Sequence, residues 1–181
     1  MPLDIGLGIF WAIIISRFAL VQLNWSTVVI AVIFALLPDA DFLLYVFKQG
    51  VNQFSHEHRD MFHNPLVFMP IGFAILAPFS IGLACLFLLC SLGHFLHDSI
   101  GMGWGIRWAY PFSKRYYKFF SDKQGRMASN FLISWTPEEQ REAAIRSGNP
   151  HWLKDYLKFS PDLLLELFIF IAAIAILFAI K

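Results

Sequence analysis

Long apolar runs separated by short polar stretches dominate the chain. A helix that spans a lipid bilayer needs about 20 mostly apolar residues. Five segments approach that length: residues 5–23, 26–47, 64–79, 80–98 and 162–180. In the last of them, Glu166 is the only charged residue after Asp162. The pattern predicts an all-α, polytopic membrane protein with about five transmembrane helices, built as a single membrane domain over residues 1–181.

Residues 99–160 form a more polar connection before the last apolar run. A Thr-Pro-Glu-Glu capping box at 136–139 predicts the start of a helix, and Gly148 predicts its end. Asn-Pro at 149–150 predicts a second short helix, and Ser160 caps the final run. The connection is therefore expected to be a cytoplasmic, interfacial insertion of short amphipathic helices that lie along the membrane surface.

The distribution of Lys and Arg predicts the orientation of the chain. Most of these residues lie in the 99–160 connection, and Lys48 and Arg59 lie in an earlier one. The turns near Asn24 and Ser80 contain none. Because basic residues collect on the cytoplasmic side of membrane proteins, we expect the N-terminus and both basic connections inside and the C-terminus outside. The expected location is the inner (plasma) membrane.

Composition agrees with a membrane protein and excludes other classes. Hydrophobic residues make up 57% of the chain and charged residues 15%, which is more apolar than an ordinary soluble domain. The net charge of +1 gives no basic excess for binding nucleic acid. Cys85 and Cys90 both lie inside an apolar run, so neither a disulfide framework nor a Cys-based zinc site is expected.

Ionisable residues gather in or beside the apolar runs, where they are costly and usually mark function. They form four clusters: Asp4; Asp39 and Asp41; His56, His58, Asp60 and His63; and His94, His97 and Asp98. With the orientation above, Asp39 and His94 each lie about 13 or 14 residues into a span that runs inward, at a depth of roughly 20 Å. Four segments therefore deliver metal-ligand side chains to one level on the cytoplasmic side.

The spacing within the clusters favours a metal site. His94 and Asp98 are one helical turn apart and point to the same side, which His97 shares. Imidazole and carboxylate ligands suit zinc, manganese or iron and need no thiolate. Asp39 and Asp41 would diverge on a regular helix, so one is expected to bind the ion while the other orients a ligand. Four basic residues on the same side could hold an anionic group such as phosphate: Arg59, Arg107, Lys114 and Arg115.

These residues occur in ordered blocks that resemble a known family. The blocks are Leu36-Leu37-Pro38-Asp39-Ala40-Asp41, His58-Arg59 followed by His63, His94 with Asp98, and Trp104-Gly105 with Pro111-Phe112-Ser113-Lys114-Arg115. Over about residues 30–118 they resemble the LexA-regulated, membrane-bound metal-dependent hydrolase family (YdjM-like). The resemblance implies six metal residues: Asp39, Asp41, His58, His63, His94 and Asp98. The helical His/Asp arrangement is similar to zinc-dependent phospholipase C, which implies phosphoester hydrolysis.

The chain departs from the family pattern at several positions. The family has Gly-x-Thr-His-Ser where this chain has the five residues 60–64, Asp-Met-Phe-His-Asn, so the small residues are absent and Asp60 becomes a candidate ligand or base. Family members often carry a His near the N-terminus, where this chain offers Asp4. His56 and His97 have no counterpart in the pattern and are further candidate ligands.

The leading hypothesis is a membrane-embedded hydrolase that cleaves a phosphoester of a lipid or lipid-linked substrate. One or two divalent ions, zinc first among them, would activate water, with Asp41 or Asp60 as general base. Arg59, Arg107 or the Lys114–Arg115 pair would bind the phosphate. The alternatives are a metal or proton transporter, which the apolar outer halves of the spans disfavour, and a non-catalytic interaction protein whose metal only joins helices.

Overall fold

The computed structural model describes residues 1–52, 54–100, 103–124, 126–158 and 160–180. These residues are mostly helical. The helices are α1 Pro2–Arg17, α2 Trp25–Leu36, α3 Ala40–Gln49, α4 Pro65–Leu76, α5 Ile81–Ile100, α6 Pro137–Ser147, α7 Trp152–Tyr156 and α8 Pro161–Ala179, with 3-10 turns at Leu37–Asp39 and Ser55–Asp60. Two strands, β1 Tyr116–Ser121 and β2 Met127–Trp135, form an antiparallel hairpin. The chain divides into two compact units.

The first unit consists of Met1–Pro38, Met69–His94 and Phe159–Lys181. Within it, α1 packs against α2 and α8. Gly8 permits the close approach to α2, because a Cβ there would lie 2.9 Å from the carbonyl oxygen of Ala31. The core of this unit is built from small and branched apolar side chains: Ile9, Ala12, Ile13, Ile15, Val28, Ala31, Ala35, Leu86, Cys90, Ala173 and Leu177.

Helices long and apolar enough to cross a bilayer support the prediction of a polytopic helical membrane protein. Three occur among the described residues: Trp25–Gln49, Ile81–Ile100 and Pro161–Ala179. The first runs through α2, the 3-10 turn and α3 without leaving a helical path. Helix α1 has 16 residues and α4 has 12, so both are shorter than a full span. The predicted count of five spans is not confirmed.

The predicted helix ends in the 99–160 connection agree with the structure. The hydroxyl of Thr136 accepts a hydrogen bond from Glu139 N (3.2 Å), and the Glu139 carboxylate accepts one from Thr136 N (2.7 Å). This capping box starts α6, which ends at Gly148. The Ser160 hydroxyl accepts a hydrogen bond from Leu163 N (3.1 Å) and so caps α8.

The hairpin corrects the expectation that the 99–160 connection contains helices only. β1 pairs with β2 in antiparallel register, with Tyr116 opposite Trp135 and Lys118 opposite Ile133. The sequence signal is the aromatic and β-branched content of both strands, separated by an Asp-Lys-Gln-Gly turn. Along β1, burial alternates, so that Tyr116 and Lys118 are buried while Tyr117 is less so. The fold is therefore mainly helical with one small sheet.

The second unit consists of Asp39–Phe68 and Phe95–Lys158. Its core contains Trp104 and Trp135, whose rings meet edge to face with centroids 6.1 Å apart. The chain reaches this core through Gly105, which has φ +75° and lies so close to β1 that a Cβ would be 2.2 Å from the carbonyl oxygen of Tyr117. Glycine is therefore required where the segment after α5 meets the hairpin.

Candidate metal centre

His63 lies among three carboxylates in the second unit. Its Nε2 atom is 3.1 Å from Oδ2 of Asp98 and 3.4 Å from Oδ1 of Asp39. Its Nδ1 atom is 3.6 Å from Oδ2 of Asp41. The His63 side chain is fully buried, at 0% exposure. Three separate elements supply these groups: the start of α3, the turn before α4 and the end of α5.

The 3-10 turn at Leu37–Asp39 explains how Asp39 and Asp41 reach the same histidine. A regular helix would turn their side chains apart, but a 3-10 turn is wound more tightly and so changes their relative direction. Asp41 Oδ2 also accepts a hydrogen bond from Phe62 N at 2.9 Å. This bond fixes the backbone next to His63, so Asp41 positions the histidine through the main chain as well as through its ring.

His58 offers a second imidazole to the same cluster. Its Nδ1–H donates a hydrogen bond to the carbonyl oxygen of Ser55, which can only accept. In the neutral ring that tautomer leaves the lone pair on Nε2, which lies 3.7 Å from Oδ1 of Asp39. This nitrogen is buried and has no hydrogen-bond partner among the residues that the structure describes. A ligating histidine is normally held in this way, by a carbonyl on its other nitrogen.

The spacing of the ligand atoms fits a divalent cation. Asp39, His63 and Asp98 each place a ligand atom within 4.8 Å of the other two, and so do Asp41, His58 and His63. Ligands on one zinc ion, with bonds of about 2.0–2.2 Å, lie roughly 3–4 Å from one another. The donors are nitrogen and carboxylate oxygen only, which zinc, manganese and iron all accept.

The electrostatics of the cluster call for a positive charge at its centre. Burial by itself lowers the pKa of His63, but hydrogen bonds to Asp39, Asp41 and Asp98 outweigh it and raise that pKa to about 9. Without a cation, the His63 ring is therefore protonated at neutral pH. The proton supplies the charge that a bound metal ion would otherwise supply.

His94 and Asp4 pair with each other in the first unit. Nδ1 of His94 lies 3.2 Å from Oδ1 of Asp4, and both side chains are 1% exposed. Asp4 was predicted as an additional ligand, and here it orients the His94 ring. His94 also lies one turn before Asp98 on α5, so the two side chains leave the same side of that helix.

Two predicted histidines have no described role in the cluster. His97 lies on α5 but belongs to neither of the two ligand groups found among the described residues. The side chain of His56 lies outside the described residues.

Comparison with known proteins identifies the family. A family model described as "YdjM inner membrane protein" matches residues 4–180. The chain belongs to the YdjM inner membrane protein family. The match extends well beyond the ordered blocks at 30–118 and supports a membrane location. No curated protein and no solved structure matches the chain.

In this YdjM family member, Asp60 lies outside both ligand groups. Its carboxylate accepts a hydrogen bond from the Tyr116 hydroxyl and lies 3.2 Å from Nη2 of Arg107. The Arg107 guanidinium also stacks on the rings of Tyr110 and Tyr116. Burial, followed by the hydrogen bond to Asp60, raises the pKa of Tyr116. The three groups tie the turn before α4 to β1.

The predicted phosphate-binding residues of this chain differ in their surroundings. Arg59 donates from Nη2 to Oδ1 of Asp98 at 2.8 Å, so it lies directly beside the cluster. Lys114 is exposed. Arg115 donates from Nε to the Ser134 hydroxyl at 3.0 Å and so faces β2. Lys118 is a buried lysine that no sequence motif singles out, because its burial follows from the alternating pattern of β1.

Proposed function

We propose that the protein is a metal-dependent hydrolase of the inner membrane, with zinc as the first candidate ion and manganese or iron as alternatives. The observation that carries the proposal is the buried imidazole of His63 between the carboxylates of Asp39 and Asp98, with Nε2 of His58 beside them. Such a set of nitrogen and oxygen donors resembles catalytic zinc sites, which keep a position for water.

The two ligand groups share His63, which favours one ion rather than two. A neutral imidazole donates a lone pair from one nitrogen only. The Nε2 atom faces Asp39 and Asp98, whereas Nδ1 faces Asp41. A single ion held through Nε2 therefore uses Asp39, His63 and Asp98. His58, whose Nε2 atom lies 3.7 Å from Oδ1 of Asp39, is the further ligand that we propose.

Of the two predicted general bases, Asp41 is the one whose carboxylate keeps an oxygen available. Its Oδ2 atom is engaged by Phe62 N and by His63. Its Oδ1 atom is buried and has no hydrogen-bond partner within the described ranges, so it can accept a proton. The bound ion would supply a water molecule of lowered pKa next to the substrate. Asp60 is less suited, because Tyr116 and Arg107 already occupy its carboxylate.

The proposed substrate is a phosphoester of a lipid or of a lipid-linked molecule, reached on the cytoplasmic side of the membrane. The orientation rests on the basic connections, since cytoplasmic loops are rich in Lys and Arg. The net charge of +1 supports no nucleic-acid partner. A membrane location brings such a substrate to the protein without diffusion through water.

Purified protein in lipid nanodiscs is expected to bind one zinc ion per chain and to hydrolyse a chromogenic phosphodiester only when loaded. Elemental analysis gives the metal content, and treatment with a chelator should remove metal and turnover together. Bound metal without turnover on mono- or diesters would favour a structural metal instead. Metal-dependent ion uptake into proteoliposomes would favour a transporter.

Metal affinity is expected to rise with pH. The pKa of His63 lies near 9, so below that pH the metal must displace a proton from the ring. Each displaced proton makes the affinity increase by about tenfold per pH unit, and the increase should level off above about pH 9. Competition with a chromogenic chelator between about pH 6 and pH 8 measures this slope. His151→Gln, a change at an exposed histidine, is the matched control and should leave this slope unchanged. A metal affinity independent of pH would contradict the displacement of a proton from His63.

A further inference from the structure

Two buried basic side chains, Arg59 and Lys118, lie close together in the second unit, and Arg59 contacts the carboxylate of Asp98. The Arg59 side chain is 12% exposed, and Lys118 is 2% exposed. Burial of a charged group is costly unless other groups compensate for the lost hydration. Two positive charges held close together beside a candidate catalytic site suit an anionic ligand.

The Arg59 and Lys118 side chains both lie next to Gly103. Lys118 donates from Nζ to the carbonyl oxygen of Gly103 at 2.8 Å. Gly103 has φ +104°, and a Cβ at this position would lie 2.9 Å from Nη1 of Arg59. Only glycine lets the backbone follow this path so close to the guanidinium. Both positive charges are thus held against one residue of the segment between α5 and β1.

Arg59 uses only part of its hydrogen-bonding capacity. Its Nη2 atom binds Oδ1 of Asp98, whose other oxygen lies 3.1 Å from Nε2 of His63. Its Nε and Nη1 atoms are buried and lack a hydrogen-bond partner in the part of the chain that is described. A guanidinium with two donors left over suits phosphate, which accepts paired hydrogen bonds from arginine.

The hairpin explains why Lys118 is the lysine that reaches this place. Side chains alternate along β1, and the inward set includes Tyr116 and Lys118. Lys114 precedes the strand and is exposed, while Arg115 is bound to Ser134 on β2. Of the basic residues from 114 to 118, Lys118 is therefore the one directed toward Arg59 at Gly103.

We propose that Arg59 and Lys118, held together at Gly103 beside Asp98, form the subsite that binds the phosphate group of the substrate. The inference rests on the proposed function for the role of the neighbouring metal, and it adds the group that the substrate presents there. The same chemistry fits a phospholipid headgroup and a soluble phosphoester. In either case Arg59 would bind the phosphate through Nε and Nη1 while its Nη2 atom binds Asp98, the proposed metal ligand.

The test is a calorimetric titration of the 181-residue protein in nanodiscs with inorganic phosphate, which measures the phosphate affinity with and without zinc. Lys118→Met keeps the length of the side chain and removes its charge, and it is expected to weaken phosphate binding by about tenfold or more. Lys154→Met makes the same change at an exposed lysine on α7 and should bind phosphate like the wild type. Wild-type affinity in Lys118→Met would overturn the proposal.

Metal content measured in the same samples separates this inference from the proposed function. Phosphate binding that depends on Lys118 in a protein that holds no metal would leave the subsite standing and refute the hydrolase. Metal bound normally with no phosphate binding would refute the subsite alone. If Lys118→Met does not fold, NMR spectroscopy of the wild-type protein labelled with ¹³C at lysine Cε replaces it. Phosphate should then shift the signal of a buried lysine. An unchanged spectrum would overturn the proposal.

The source of the phosphate is distinguished by competition. Short-chain phosphatidic acid and glycerol 3-phosphate carry the same phosphomonoester and differ in their acyl chains. If the lipid displaces inorganic phosphate at lower concentrations than glycerol 3-phosphate does, the ligand is a lipid headgroup. If glycerol 3-phosphate displaces it at lower concentrations than the lipid does, the ligand is a soluble ester.

Discussion

Replacing His63 with alanine is expected to abolish metal binding and all metal-dependent hydrolysis. His63 is the residue that both ligand groups share, and its ring separates Asp39 and Asp98 from Asp41. A zinc ion with four protein ligands contributes about 10–16 kcal/mol, so one lost ligand removes about 3 kcal/mol or more, which is a loss of over a hundredfold in affinity. Elemental analysis after gel filtration and a competition titration with a chelator measure the effect.

His151→Ala is the matched control for that substitution. His151 is an exposed histidine in the turn before α7, outside the cluster, so its replacement should leave metal content and turnover unchanged. Circular dichroism establishes that the His63→Ala protein keeps its helices. A folded His63→Ala protein with full metal content and full turnover would refute the proposed site.

Gly105→Ala is expected to destabilise the second unit strongly. Two costs combine: a residue with a side chain at φ +75° is strained by about 1–2 kcal/mol, and the new Cβ would lie 2.2 Å from the carbonyl oxygen of Tyr117. Because that oxygen belongs to the backbone, it cannot move without disturbing the bridge between Ile106 and β1. We expect a total loss of about 3 kcal/mol or more, measured by thermal unfolding in detergent.

Gly50→Ala separates the two costs. Gly50 has φ +68°, close to that of Gly105, but a Cβ there would meet no atom within 4 Å. It should therefore show the conformational strain alone, about 1–3 kcal/mol, since φ +68° with ψ 179° is a conformation that essentially only glycine adopts. If both variants unfold at the same temperature, the close packing of Gly105 against β1 does not contribute to stability.

The helix ends were predictable because local sequence determines them, and the candidate ligand residues could be singled out in the same way. A capping box needs only Thr136 and Glu139 at the right spacing, and the structure contains both of its hydrogen bonds. Asp39 and Asp41 beside Pro38 at the end of an apolar run are costly enough to mark a site before any fold is known. The family match over residues 4–180 agrees with the resemblance found in the shorter blocks.

The tertiary geometry was not predictable from these local signals. Asp39 and Asp41 would point apart on a regular helix, yet both lie against His63, Asp39 at its Nε2 atom and Asp41 at its Nδ1 atom. The hairpin was not predicted because its strands depend on packing against Trp104 and the segment around Gly105, which local sequence does not show. Without the hairpin, the burial of Lys118 has no signal, because a lysine in a basic stretch is usually exposed.

The 3-10 turn at Leu37–Asp39 lies within the candidate span Trp25–Gln49, so bilayer thickness affects the depth of the candidate site. Helix α2 has 12 residues and is therefore about 18 Å long, shorter than the hydrocarbon core of about 30 Å. Trp25, largely exposed at the start of α2, belongs to the residue type that anchors helices at the membrane interface. The length of α2 then sets how far Asp39 lies from the opposite surface. With Trp25 at one interface, a membrane with longer acyl chains is expected to place that carboxylate deeper and to make it less accessible to water.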